Sequence, residues 1–178
     1  MRGYFGIGVE GISKAKNLGN LMRSAHAFGA RFFFTINSAV EPEVEAVSDT
    51  AHSPGHLPVY RFDHASKLVL PDGCKLIGVE IIDDAVELPS FPHPVSAAYV
   101  LGPERGRLTP ELIARCDHVV RIPTTFSINV GVAGAIVMYD RLIALGRFSA
   151  RPVNPRAPAE ARPRHVFGEP LSRRRRTE

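Results

Sequence analysis

The chain reads as an α/β protein, a mostly parallel six-stranded sheet flanked by helices. Two observations lead there. Short β-rich runs alternate along the chain with segments of helical periodicity, the pattern of strands joined by crossover helices. The 178 residues, 44% of them hydrophobic, suffice for one sizeable core and leave little for a second domain. No internal repeat is evident.

The elements follow in order. YFGIGVEGI (4–12) and RFFFTI (31–36) are the first two strands. Between them NLGNLMRSAHAFG sets Leu18, Leu21, Met22, Ala25 and Phe28 at helical spacing, with Asn17 a candidate N-cap and Gly29 a candidate stop. PVYRF (58–62), KLIGVEI (75–81), AAYVLG (97–102) and HVVRIP (118–123) supply four more strands. TPELIARC (109–116) is a helix opened by Thr109 as N-cap, with Pro110 in the first turn and Glu111 complementing the dipole. TTFSINVGVAGAIVMYD (124–140) closes the pattern as a buried helix, since no charge occurs from 122 to 139. Gly131 and Gly134 fall within two turns of it; each costs roughly 1 kcal/mol against Ala, so a close approach of another backbone or a ligand is expected there. Two linker-like stretches, 38–57 and VELPSFPHPVS (86–96), are expected at the surface.

Charge is unevenly divided. Residues 151–178 hold eight Arg and three Glu, a net of +5, so the preceding 150 residues carry −1 of the overall +4. The sequence pI of 9.4 is thus a property of the tail. With five Pro in those 28 residues, the expected organisation is one domain over 1–147 and a largely disordered basic arm over 148–178. The closing RRRR either contacts RNA phosphate or only solubilises the terminus. Cys74 and Cys116 are the sole cysteines, and no targeting or transmembrane segment is visible at either end, so a reducing, cytoplasmic setting without a membrane is expected.

Several chemistries lack support. Gly6, Gly8 and Gly11 spell the G-x-G-x-x-G of dinucleotide-binding turns, but they lie inside the first strand, and Glu41 is the first acidic residue after them, too late for a ribose-binding carboxylate. A Rossmann dehydrogenase is therefore the weak rival. The seven His never pair with Cys or Glu at ligand spacing, and His52 and His56 sit in a Pro/Gly segment, so no metal is expected. No G-x-S-x-G elbow or P-loop occurs.

Three polar clusters remain, each at an end of an α/β unit: NLGNLMR around Asn17, Asn20 and Arg23; LGPERG from 101 to 106; and RIPTTFSIN leading into the last helix. Asn17, Gly19, Arg23 and Ala25 fit N-x-G-x-x-x-R-x-A, Gly102 and Glu104 fit G-x-E, and Ser127, Ile128, Asn129 and Val130 fit S-[IL]-N-V. In this order the blocks resemble the motifs of the SPOUT superfamily, most closely its SpoU/TrmH-type RNA ribose 2′-O-methyltransferases, over residues 4–146. The resemblance implies a C-terminal deep trefoil knot that holds S-adenosylmethionine, in a homodimer with sites near the interface and the last helix packed on the knot and the partner subunit.

The resemblance also implies roles. Arg23 is the catalytic arginine, gripping a target phosphate and the 2′-oxygen. Asn17 orients Arg23 or the ribose, unless it is merely the N-cap. Glu104 orients the substrate or Asn129, unless it pairs with Arg105 or Arg107. Ser127 and Asn129 cap the last helix or bind cofactor and substrate. Leu101, Gly102, Ile122, Ser127 and Ile128 line the cofactor pocket. Arg105 and Arg107 stand where the family loop carries glycines, which leaves its conformation open and makes both candidates for RNA phosphate; Gly131 stands where a Ser often follows. The chain begins directly with the catalytic fold, so RNA recognition is expected from the dimer face, the 38–57 loop and the tail. Transfer RNA is the expected acceptor, with ribosomal RNA close behind, base methylation a third course, and a catalytically silent RNA-binding dimer the rival of another class.

Overall fold

The computed structural model describes residues 3–41 and 57–146, all within a unit spanning Met1–Phe148. The arm expected over 148–178, its RRRR run and the segment with His52 and His56 lie outside the described residues.

Seven strands form one sheet: β1 (Tyr4–Glu10), β2 (Phe32–Ile36), β3 (Val59–Phe62), β4 (Lys75–Val79), β5 (Val86–Glu87), β6 (Ser96–Leu101) and β7 (His118–Arg121). Their order is β3-β2-β1-β6-β4-β7-β5, and every pairing is parallel. The expected six strands are present at the expected places. The seventh, β5, corrects the count: two exposed residues on the sheet edge leave no alternation for a sequence pattern to detect. Its segment is also not wholly superficial, because Leu88, Phe91 and His93 are buried.

Alternation of side chains splits the core into two layers. Phe5, Ile7, Val9, Phe33, Ala97 and Tyr99 face helices α1 (Ala15–Ala27) and α3 (Val130–Leu145). Phe32, Phe34, Leu76, Ala98 and Val100 face the opposite side, covered by α2 (Pro110–Arg115) and a 3-10 turn at Ala65–Lys67. Gly6 and Gly8 sit inside β1, where added Cβ atoms would overlap the Phe32 and Phe34 side chains. The dinucleotide-like spacing therefore records close strand packing.

Helix ends follow local chemistry, with one exception. Thr109 caps α2, its Oγ1 accepting the Leu112 N–H at 3.3 Å, ahead of Pro110 and Glu111. Gly29, at φ +75°, ends α1 in a Schellman turn in which the Ala30 N–H reaches the Ala25 carbonyl and the Gly29 N–H that of His26. Asn17, however, is not the N-cap. Lys14 holds that place without a side-chain bond, and Asn17 lies buried inside the first turn.

The two glycines of α3 meet α1 of their own chain. A Cβ on Gly131 would stand 3.2 Å from the Asn20 Cβ, and one on Gly134 would overlap Leu21. Further along, α3 is pinned by the buried Arg141. Its guanidinium donates to the carbonyls of Pro94 (2.6 Å) and Val95 (2.8 Å) and to the Tyr99 hydroxyl (3.2 Å), and it lies over the Phe5 ring. Among the described residues no helix is long and apolar enough to cross a membrane.

Candidate active site

The register aligns the carboxyl ends of three neighbouring strands: Val9 of β1 and Val79 of β4 both stand opposite Leu101 of β6. The segments leaving β4, β6 and β7, with the start of α3, line a cleft of about 180 Å³. Leu101, Gly102, Ile122, Ser127 and Ile128, expected to gather around one ligand, all line it. Glu104, Thr124 and Glu80 supply further polar lining.

At the rim the three motifs join in one hydrogen-bonded chain. The Asn129 amide donates to Asn17 Oδ1 at 2.9 Å, and the Asn17 amide donates to Glu104 Oε1 at 3.0 Å. Donor direction is fixed at both ends. Asn129 Oδ1 caps α3 by accepting the Gly131 and Val132 N–H groups at 2.9 and 3.4 Å, which turns its NH₂ towards Asn17. A carboxylate can only accept, so Asn17 must present its own NH₂ to Glu104. Glu104 also accepts from the Lys14 N–H (3.2 Å), the Ser13 N–H (3.2 Å) and the Ser13 hydroxyl (3.3 Å). Burial raises the Glu104 pKa, but the hydrogen bonds from Asn17, its own N–H, Ser13 and Lys14 outweigh it and hold the carboxyl below the usual range.

Several expectations are thereby corrected. Glu104 pairs with neither Arg105 nor Arg107; its partners belong to the start of α1, where its negative charge suits the helix dipole. It reaches Asn129 only through Asn17. Ser127 does not cap α3; Asn129 does. Arg105 and Arg107 are exposed, and the left-handed conformation of their loop falls on Gly106 between them, at φ +119°, so no glycine is required at either position.

Arg23 is not in the cleft. It lines an adjoining groove between α1 and α3 with Asn20, Ser24, Asn129 and Tyr139, and makes no hydrogen bond or ion pair with the described residues. Asn129 stands between groove and cleft, next to the cleft residues Ile128 and Val130. Among the described residues, no cluster of three or more His, Cys, Asp or Glu is placed to hold a metal.

Two carboxylates went unforeseen. Glu10 accepts the Thr109 N–H and hydroxyl, both at 2.7 Å, and Glu80 accepts the Leu108 N–H at 2.8 Å. Together they hold the far end of the 102–109 loop from the strands on either side of β6. The sequence carries a signal for them, because Gly-Val-Glu recurs at 8–10 and 78–80, each time at a strand end.

A model described as the SpoU rRNA Methylase family matches residues 5–139. The chain belongs to the SpoU rRNA methylase family. This SpoU chain is 29% identical over 153 residues to rRNA methyltransferase 1, mitochondrial, of Schizosaccharomyces pombe, covering 74% of this chain and 49% of that protein. It is 29% identical over 140 residues to 23S rRNA (guanosine-2'-O-)-methyltransferase RlmB of Coxiella burnetii, covering 74% and 55%. It thus spans about half the length of these curated relatives. Its fold matches the AdoMet-bound rRNA methyltransferase of Sinorhizobium meliloti with a TM-score of 0.72 at 20% identity, over 82% of this chain and 58% of that one.

Proposed function

We propose that the chain is an S-adenosylmethionine-dependent RNA methyltransferase acting on a ribose 2′-hydroxyl. The observation that carries this reading is the joining of three separated motifs beside one cleft, through the bonded series Asn129, Asn17 and Glu104. The named relatives support it: one is a guanosine-2'-O-methyltransferase, and one matching structure has AdoMet bound.

The cleft fits the cofactor chemically. Its ionisable lining consists of two carboxylates, Glu80 and Glu104, with no Lys or Arg, which suits a cationic sulfonium ligand. Leu101, Gly102, Ile122, Ser127 and Ile128 would hold it, with apolar walls for the adenine and backbone groups for its polar edge. S-adenosylmethionine supplies there a methyl group already activated on sulfur. The protein's task is to align the hydroxyl with that methyl, and alignment can reach effective molarities of about 10⁵ M or more, against about 10²- to 10⁴-fold for a general base.

Arg23 supplies the acceptor side, with its fork on a phosphate and the 2′-oxygen at the groove beside Asn129. A guanidinium stays protonated, so the hydroxyl proton passes to a phosphate oxygen or water. Arg105 and Arg107 add phosphate contacts from the loop. A second copy covers the exposed stripe of α3, where Val132, Ile136, Tyr139 and Ile143 recur at helical spacing beside the Arg23 groove; this supports a homodimer with Arg23 at the interface. The threading expected for this superfamily, a deep trefoil knot, belongs to the same proposal.

Transfer RNA is the first acceptor to test. Ribosomal RNA is the second, favoured by the relatives' names. Labelled S-adenosylmethionine is incubated with each RNA from cells lacking the gene, and nucleosides are read by mass spectrometry. A 2′-O-methylated nucleoside is expected in one class and disappears with Arg23→Ala, while cofactor binding persists. A methylated base would overturn the ribose assignment, and full activity of Arg23→Ala would remove it from catalysis.

A further inference from the structure

We propose that Glu80 selects the cofactor by accepting hydrogen bonds from its ribose hydroxyls, an inference that rests on the S-adenosylmethionine reading above. Glu80 and Glu104 are the two carboxylates lining the cleft, and their remaining bonding capacity differs. An ionised carboxylate offers about four lone-pair sites. Those of Glu104 are taken by the Ser13 N–H and hydroxyl, the Lys14 N–H and the Asn17 amide. Glu104 is therefore saturated from within the chain.

Glu80 is not. Its Oε1 accepts the Ile81 N–H and its Oε2 the Leu108 N–H, each at 2.8 Å, and no Lys or Arg among the described residues pairs with it. These two backbone donors fix the carboxylate on the cleft wall and leave about half of its lone pairs unused. Glycine at 102 makes this placement possible, since a Cβ there would stand 3.0 Å from Glu80 Oε2 and 3.2 Å from the Leu108 nitrogen. The unused lone pairs form a two-oxygen acceptor beside Leu101 and Gly102.

A vicinal diol is the ligand group that matches such an acceptor, because its two adjacent O–H donors engage both oxygens at once. A ribose diol held by a strand-end carboxylate is an established solution for nucleotide cofactors on other α/β sheets. The sulfonium carries no hydrogen-bond donor and cannot take this position. The adenine amine and the methionyl ammonium each carry all their donors on one atom, so neither spans two oxygens as a diol does.

The test is equilibrium binding by the full chain of S-adenosylhomocysteine, its 2′,3′-dideoxy analogue and S-adenosylmethionine, with folding checked by thermal melting. Hydrogen bonds to a charged group predict that wild type binds the dideoxy analogue on the order of 10- to 100-fold more weakly than the parent. Glu80→Ala should bind parent and analogue alike, near the wild-type level for the analogue. Should Glu80→Ala fail to fold, Glu80→Gln, which keeps the volume and one backbone bond, is measured in the same way and should lose most of the preference. Equal affinity of wild type for parent and analogue would overturn the ribose assignment, and a variant that kept the full preference would overturn the choice of Glu80. Absence of binding of either natural ligand to wild type would instead sink the cofactor reading itself.

Discussion

Asn17→Asp changes one atom at the junction of the three motifs and should convert its strongest contact into a repulsion. In wild type the Asn17 amide donates to a carboxylate at 3.0 Å and its oxygen accepts from Asn129 at 2.9 Å. The substitution keeps the Asn129 bond and places a second carboxylate oxygen against Glu104 Oε1. A lost hydrogen bond to a charged group accounts for roughly 1.5–3 kcal/mol. Two like charges about 4 Å apart near a protein surface add up to about 4 kcal/mol, reduced here because Glu104 is partly exposed. The expected destabilisation at pH 7 is therefore about 3 kcal/mol or more. Its pH dependence is diagnostic. In wild type the Glu104 pKa is depressed below 4.5, so its contribution is complete above that value and is lost as pH falls through the folded-state pKa. In the variant the paired carboxylates titrate as a unit, with one step raised, so the penalty is present above that step and is relieved as pH falls towards 5. Urea denaturation at pH 7 and pH 5 reads both effects. A variant within about 0.5 kcal/mol of wild type at pH 7, or one whose deficit does not shrink on acidification, would refute this account of the junction.

Three further outcomes are expected. Gly134→Val drives a branched side chain into Leu21 across the α1–α3 contact and should lower stability by about 1–3 kcal/mol in denaturant titration. The His93 ring lies between the Tyr99 hydroxyl (2.6 Å) and Asp140 (2.9 Å), with Arg141 beside it; burial lowers its pKa from 6.5 although Asp140 acts to raise it. A base with a depressed folded pKa stabilises above its unfolded value and loses that contribution as pH falls, so stability should decline below about pH 6.5 and His93→Gln should flatten the decline in pH-dependent melts. A chain ending at Arg147 should bind S-adenosylmethionine as the full chain does and lose RNA affinity chiefly at low salt; unchanged affinity in filter binding would reduce the tail to a solubilising arm.

Much of the architecture lay in local pattern. Thr109 before Pro110 and Glu111 marks the start of α2 because cap, φ restriction and dipole act within one turn. Gly29 marks the end of α1 because the left-handed turn it allows involves only neighbouring groups. The five expected cofactor-lining residues share one cleft because they cluster at strand ends, where a parallel sheet gathers its loops.

Asn17 shows where sequence stops and tertiary structure begins. On local chemistry an Asn ahead of an apolar helical stripe is a cap, yet the cap lies three residues earlier, at Lys14, where Glu104 binds the Ser13 and Lys14 N–H groups from about 90 positions away in sequence. With that end satisfied by a distant carboxylate, Asn17 is released to join Glu104 to Asn129. The same holds for Gly131 and Gly134: sequence requires a close neighbour, and only the packed fold identifies it as α1. Sequence by itself determined which residues carry polarity and which backbone positions stay bare. The pairing of those groups was decided by strand order, since β1, β4 and β6 become neighbours only when the sheet is assembled and distance along the chain no longer measures distance in space.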